Sequence, residues 1–251
     1  MDRIAVIRAE SHRFADVLAT AEPDDRCPTC PEWSAADLLW HLTNVHYFWA
    51  GVLARNARTE SDIAAVEQAK PDRPSAIPDL LALREGATTA LLDQLGRLDD
   101  AAPRWTWWPA DQTVGFTRRM QTYEATMHRV DAELAAGLPI GPIAADVAAG
   151  AVDHAVDVMW GWLPDGATYE PRAVVEFVAT DVDRRWLVEV GQTTAGSPRA
   201  VRATNGVPTA SVTAPVVDLA LWAWTRGGTV EISGRAASVA ALDAIVADGM
   251  P

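Results

Sequence analysis

The region from Phe116 to Ala136 constrains the fold more than any other part of the chain, because its apolar residues have the most regular helical spacing in the sequence. The gaps between these residues alternate between four and three, which places them on one face of an α-helix. They are Phe116, Met120, Tyr123, Met127, Val130 and Leu134. The pattern predicts an amphipathic helix that buries this face against other helices.

A polar ridge runs along one flank of that apolar face, formed by Thr117, Gln121, Glu124, His128 and Asp131. Glu124 and His128 are one helical turn apart, so their carboxylate and imidazole could approach one divalent cation, such as zinc or nickel. A polar ridge is also typical of a solvated helix face, and these residues alone leave both interpretations open.

Three further segments have helical spacing: residues 2–21, a helix that begins after the candidate N-cap Ser34, and the region from Ser75 to about Asp99. The polar, proline-containing region 56–75 is predicted to be a loop. Four helices with one long crossover predict a bundle whose inner side chains could build a metal site.

The segment Gly137-Leu-Pro-Ile-Gly-Pro142 interrupts the helical pattern, and we place a domain boundary there, between residues 1–141 and 142–251. A fifth helix is predicted from about Ala144 to Trp160, after which apolar residues alternate with the period of strands. The predicted fold class is therefore α plus α+β, a four-helix bundle followed by a small α+β domain with a mostly antiparallel sheet.

Composition excludes several classes of protein. The formal net charge of -13 over 251 residues argues against nucleic-acid binding, which needs clustered cations to neutralise phosphates. No window is apolar enough for a membrane span and the N-terminus lacks the layout of a signal peptide, so we expect a cytoplasmic protein, as a monomer or homodimer. The sequence also lacks the glycine-rich nucleotide-binding motifs, the Gly-x-Ser-x-Gly elbow and His-Glu-x-x-His.

Three smaller features leave alternatives open. Cys27-Pro-Thr-Cys30 has redox spacing, but no strand precedes it and no second cysteine pair completes a zinc site, so we do not expect it to be catalytic. On the second helix, His41 and His46 lie about 140° apart, and each fits a half-buried histidine at a helix contact. Tryptophans 105, 107 and 108 could cap the end of the bundle or line a pocket.

Three blocks of sequence resemble the mycothiol-dependent maleylpyruvate isomerase family of DinB-like metalloenzymes. They are Cys30-Pro-Glu-Trp-Ser-Ala-Ala-Asp-Leu-Leu-Trp-His41-Leu, Trp105-Thr-Trp-Trp-Pro109 and Glu124-Ala-Thr-Met-His128-Arg-Val-Asp-Ala-Glu133. The resemblance extends over nearly the whole chain. It implies a DinB-like four-helix bundle in residues 1–141 and a sterol-carrier-protein-like α+β domain in residues 142–251.

The resemblance also implies site residues. The family's histidine on the second helix matches His41, and its Glu-x-x-x-His matches Glu124 and His128, which together would bind a divalent metal, zinc or else nickel. Trp107 and Trp108 are candidates for contacts with the cofactor. Arg226 matches an arginine near the family's last helices and could hold a substrate carboxylate, although a cation at a helix C-terminus explains it equally.

The activity implied by the family depends on mycothiol, a low-molecular-weight thiol that attacks an electrophile after metal binding has lowered its pKa. The reaction would be isomerisation of a maleylpyruvate-like substrate or transfer of the thiol to an electrophile. The expected partners are thus a small thiol and an electrophilic substrate. The alternative is a non-catalytic, metal-containing module that binds an apolar ligand or a protein, which the tryptophans of the second half suggest.

Overall fold

The computed structural model describes residues 1–163 and 166–249. The chain divides into two compact units, Met1–Pro142 and Ile143–Pro251. The first unit is helical and the second combines helices with one sheet.

Four long helices and one short helix form the described first unit. They are α1 (Arg3–Leu18), α2 (Ala35–Ala54), α3 (Glu60–Gln68), α4 (Ile77–Arg97) and α5 (Val114–Ala135). Local sequence explains where they begin: Ser34 and Asp37 form a reciprocal capping box at the start of α2, and the Thr113 hydroxyl accepts from Phe116 N at the start of α5. The two site-bearing helices α2 and α5 thus have fixed starting points.

The long helices bury their apolar faces in a common core. One cluster joins α1, α2, α4 and α5 through residues that include Phe14, Leu38, Leu42, Leu80 and Ala132. Complete burial of one such leucine or phenylalanine stabilises the fold by roughly 1.5–3 kcal/mol relative to exposure. This packing holds α2 against α5.

The predicted loop over residues 56–75 is wrong in part, because α3 occupies Glu60–Gln68. Thr59 accepts a hydrogen bond from Asp62 N, and the Asp62 carboxylate accepts from Thr59 N, so a capping box starts this helix as well. Only Val66 is buried in α3, which explains why apolar periodicity did not reveal it.

The second unit begins with α6 (Ala145–His154), which continues as a π-helical turn, Ala155–Met159. The prediction of one regular helix to Trp160 is therefore wrong beyond His154. The five strands that follow are β1 (Tyr169–Ala179), β2 (Arg185–Thr193), β3 (Pro198–Arg202), β4 (Ala210–Ala214) and β5 (Glu231–Gly234). Helix α7 (Val216–Ala223) lies between β4 and β5, and α8 (Ala236–Asp248) follows β5.

The sheet has the strand order β3-β2-β1-β4-β5. Every neighbouring pair is antiparallel except β1 and β4, which are parallel. The predicted fold class, a helical N-terminal region followed by a small domain with a mostly antiparallel sheet, is confirmed. Across the two described stretches, no helix combines the length and the apolar character that crossing a membrane requires.

Candidate metal centre

His41, Glu124 and His128 converge at one point between α2 and α5. Their donor atoms all lie within 4.8 Å of one another. Glu124 Oε1 is 3.3 Å from His41 Nε2 and 3.3 Å from His128 Nε2. The structure therefore brings together the three residues that the sequence predicts as metal ligands.

These distances fit a bound metal ion. Zinc takes nitrogen and oxygen ligands at about 2.1 Å, which separates two donors of a tetrahedral site by about 3.4 Å. The Glu124 oxygen lies at that separation from both imidazoles. Two histidines and a carboxylate are also a donor set that zinc and nickel accept, and three protein ligands leave a coordination position open.

The charges of Glu124 and His128 are coupled. Burial alone would lower the pKa of His128, but hydrogen bonds to Asp131 and Glu124 raise it to about 9. Burial alone would raise the pKa of Glu124, but hydrogen bonds from His128 and His41 hold that pKa well below its usual value. These hydrogen bonds favour the imidazolium of His128 and the carboxylate of Glu124, so a divalent cation that binds His128 competes with a proton.

Asp131 supports the site from behind His128. Its Oδ2 accepts a hydrogen bond from His128 Nδ1 at 2.9 Å, and its Oδ1 accepts from Thr29 Oγ1 at 2.5 Å. The Asp131 side chain is completely buried. A carboxylate on the outer ring nitrogen fixes the imidazole so that Nε2 faces the metal position, as in many metal sites that use histidine.

Trp33 forms part of the wall of the site. Its ring centroid lies 4.5 Å from that of His41 and 6.3 Å from that of His128. Trp33 directly precedes Ser34, the N-cap residue of α2, and its indole packs against His41, which lies two turns into that helix. The roles of Trp33 and Asp131 were not predicted from the sequence, because Trp33 reaches the site from the loop before α2 and Thr29 of the same loop bonds Asp131.

His46 does not belong to the site. It is completely buried, and its Nδ1 lies 2.9 Å from Thr88 Oγ1 on α4. Among the described residues, the clusters able to hold a metal ion do not include His46. This agrees with the angular separation of His41 and His46 on α2.

The two predicted cofactor contacts, Trp107 and Trp108, lie in the segment between α4 and α5, and Trp107 packs against the first turns of α5. Trp107 Nε1 donates to Met120 Sδ at 3.1 Å, and its ring lies 5.6 Å from that of Phe116. Trp108 packs edge-on against Trp107 at 6.1 Å. Met120, which Trp107 contacts, lies one turn before Glu124, about 6 Å along the axis of α5. Their role in cofactor binding stays a prediction.

Arg226 lies in the second unit, just after α7. Its side chain is buried, and Nη1 donates to the carbonyl of Trp224, the C-cap residue of that helix. This contact is of the kind that the helix-terminus alternative predicts. A role for Arg226 in substrate binding stays a prediction.

Comparison with known families agrees with this geometry. The family described as the mycothiol maleylpyruvate isomerase N-terminal domain matches residues 4–133, which is more than half of the chain. The chain belongs to this family. The matched region includes α2, α3 and α4 and nearly all of α1 and α5, and therefore the whole His41, Glu124 and His128 cluster. The family resemblance predicted from the sequence is thus confirmed.

Solved structures extend the likeness to both units. The chain is similar to the crystal structure of the mycothiol-dependent maleylpyruvate isomerase, with 14% sequence identity, a TM-score of 0.61 and 93% of each chain covered. A histidine-to-alanine mutant of that enzyme gives the same values. At this identity the likeness supports the fold alone. No curated protein sequence matches the chain.

Proposed function

We propose that this protein is a metal-dependent enzyme that uses mycothiol, as an isomerase of a maleylpyruvate-like substrate or as a thiol S-transferase. The observation that carries the proposal is the convergence of His41, Glu124 and His128, with Asp131 behind His128, inside the family's N-terminal domain. We propose zinc as the metal and nickel as the alternative, since imidazole suits both.

The donor set favours catalysis over a structural role for the metal. Structural zinc sites are closed by four protein ligands, whereas catalytic sites keep one position for water or substrate. A metal bound here would lower the pKa of a coordinated thiol, so that the thiol would be present as thiolate at neutral pH. His41 and Glu124 remain partly exposed, at 31% and 23% of their side-chain surface, so a small thiol could reach the donors.

The protein's own side chains have distinct proposed roles. Glu124 and the two histidines hold the metal, and Asp131 keeps His128 oriented. Trp33 covers the His41 ring and limits the access of water on that side. We propose Trp107 and Trp108 as contacts for the thiol cofactor and Arg226 as a cation for a substrate carboxylate. A cytoplasmic location stays a prediction of the sequence.

Isomerisation is the first reaction to examine, because the chain's family and the similar solved structures carry that activity in their names. Thiol transfer would use the same metal and the same thiol but retain the thioether in the product. The two reactions therefore differ in whether mycothiol is consumed.

The experiment combines metal-loaded protein, mycothiol and a panel of electrophiles that contains maleylpyruvate, an aryl halide and an epoxide. Isomerisation is followed by loss of the cis isomer at constant thiol, and transfer by loss of thiol. We expect one of these activities in the wild type and in the exposed-carboxylate control Glu85→Gln, and at least about a hundredfold less in Glu124→Gln. No turnover with any electrophile, or equal turnover in Glu124→Gln, would contradict the proposal and favour a non-catalytic binding module.

A further inference from the structure

The loop before α2 holds Cys27 and Cys30 in a tight turn. Cys30 N donates to the carbonyl of Cys27 at 3.1 Å, and Trp33 N donates to the carbonyl of Cys30 at 2.8 Å. Cys27 N donates in turn to the carbonyl of Trp33 at 3.0 Å and closes the loop. A turn closed by this first bond brings its end Cα atoms within about 7 Å, and disulfides need about 4.4–6.8 Å.

The two thiols lie close together but differ in exposure. Their sulfur atoms and a carboxylate oxygen of Asp131 are all within 4.8 Å of one another. Cys27 is completely buried, whereas Cys30 is partly exposed. A hydrogen bond from Cys30 outweighs burial and, with hydrogen bonds from Thr29, lowers the pKa of Cys27 to about 6, which favours a thiolate at neutral pH.

The same three residues could instead hold a metal ion, but their hydrogen bonds argue against it. Each oxygen of Asp131 already accepts a hydrogen bond, Oδ1 from Thr29 and Oδ2 from His128. Among the described residues, this cluster offers only two sulfurs and one carboxylate, whereas a structural zinc site uses four protein ligands. A pair of thiols of unequal exposure is better suited to disulfide exchange.

We propose that Cys27 and Cys30 form a reversible disulfide by exchange with the disulfide of a low-molecular-weight thiol. Cys30, the more exposed of the two, attacks one sulfur of the small disulfide, forms a mixed disulfide and gives up its proton to the small thiol that is released. Cys27 then attacks Cys30 Sγ, forms the intramolecular disulfide and releases the second small thiol. Two protein thiols are oxidised and one small disulfide is reduced to two thiols, so the exchange is balanced.

A series of hydrogen bonds links this cysteine pair to the candidate metal centre. Cys27 Sγ lies 3.2 Å from Thr29 Oγ1, Thr29 donates to Asp131, and Asp131 accepts from the proposed ligand His128. A disulfide therefore changes the Cys27 sulfur at one end of this chain of hydrogen bonds. The exchange itself does not depend on the proposed metal-dependent activity, so it can be tested separately.

The test uses reduced full-length protein and glutathione disulfide as the probe, with thiol titration and intact mass as readouts. In the wild type we expect both thiols to disappear with the loss of two hydrogen atoms and no retained adduct, and a reductant to restore them. In Cys27→Ser we expect a stable glutathione adduct at Cys30. In Cys30→Ser we expect modification at least about tenfold slower, because Cys27 is buried. Circular dichroism checks that both variants are folded.

Three outcomes would overturn the proposal. One is a wild type that keeps both thiols at glutathione disulfide concentrations that modify Cys27→Ser. Another is a wild type that ends as a stable mixed disulfide. The third is zinc-loaded wild type that carries about one equivalent more metal than the Cys27→Ser and Cys30→Ser double variant, which would mean that the thiols bind metal. Each result is independent of whether Glu124→Gln loses activity.

Discussion

Asp131 is the residue on which the orientation of His128 depends. Its carboxylate is buried, accepts from the imidazole at 2.9 Å and is held in place by the hydroxyl of Thr29. The sequence placed Asp131 on the polar ridge of α5 but could not show that it bonds His128 rather than solvent. Whether Asp131 is buried against His128 depends on the loop that contains Thr29, which is distant from Asp131 in sequence.

Substitution of Asp131 by Asn should weaken metal binding about 10- to 100-fold, because the amide no longer supports His128 with a negative charge. Zinc titration against a competing chelator measures the change. Asp93→Asn, an exposed carboxylate on α4, is the matched control and should bind zinc like the wild type. Equal affinities for the Asp131 and Asp93 variants would show that Asp131 does not support the site.

His46 should make the protein sensitive to acid. Burial, with a smaller contribution from Arg84, lowers its pKa to about 3, so the unfolded chain binds a proton between about pH 6.5 and 3 that the folded chain does not. Stability from this residue is therefore present above the unfolded pKa and falls as the pH drops, by roughly 1.4 kcal/mol per pH unit. Above about pH 7 the free energy of unfolding should no longer depend on pH through His46.

Denaturant unfolding from pH 7 to pH 4 measures this effect. The free energy of unfolding of His46→Gln should decrease less steeply with falling pH than that of the wild type, whatever its value at pH 7. His12→Gln, at an exposed site on α1, is the control and should keep the wild-type slope. A His46→Gln slope equal to that of the wild type would rule out a buried neutral His46.

At the scale of elements, α5 organises the first unit through charge as well as through its apolar face. Arg129 Nε donates to Glu10 on α1, and Arg129 Nη1 donates to Glu133, both at 2.7 Å. Glu133 also accepts from Arg13 on α1 and from the backbone of Gly141. These ionic contacts join α5 to α1. The segment from His128 to Glu133 therefore contains a proposed metal ligand, His128, and residues that hold the two helices together.

Arg129→Ala should destabilise the protein by about 3–5 kcal/mol, because it leaves the buried Glu133 carboxylate without its main cation. Arg129 and Glu133 are only 2% and 1% exposed, so solvent screens this pair weakly. Thermal and denaturant unfolding measure the loss. The control Arg97→Ala breaks an exposed 3.8 Å pair with Asp93 and should change stability by less than about 1 kcal/mol. Similar small losses in both variants would refute the role of the network.

The elements show what apolar periodicity can and cannot predict. Helices α2 and α5 carry long amphipathic patterns with capping residues, and their predicted starts lie within two residues of those observed. Helix α3 has one buried apolar side chain, so only its Thr59 and Asp62 capping box could have revealed it. The parallel pairing of β1 with β4 is a non-local contact that alternation of apolar residues does not specify.

At the scale of the whole molecule, the likeness of each of the two units to known proteins is supported by a different observation. The family match covers residues 4–133 and therefore the first unit, whereas the second unit is linked to the solved isomerase by fold. The fold class could be predicted from the sequence because the apolar residues follow helical and strand spacing. The three metal-binding candidates could be predicted because they match a family motif. The sequence could not predict that the Cys27 and Cys30 pair lies next to Asp131, because Cys27 and Asp131 meet only in the folded chain.

The metal content of the full-length protein tests the central claim most directly. Purified wild type, Glu124→Gln and the control Glu85→Gln are loaded with zinc, freed of excess metal and analysed for bound metal per chain. We expect about one tightly bound equivalent in the wild type and the control, and little in Glu124→Gln, which lacks the shared carboxylate between the two histidines. The same tightly bound stoichiometry in Glu124→Gln, or none in the wild type, would contradict the account.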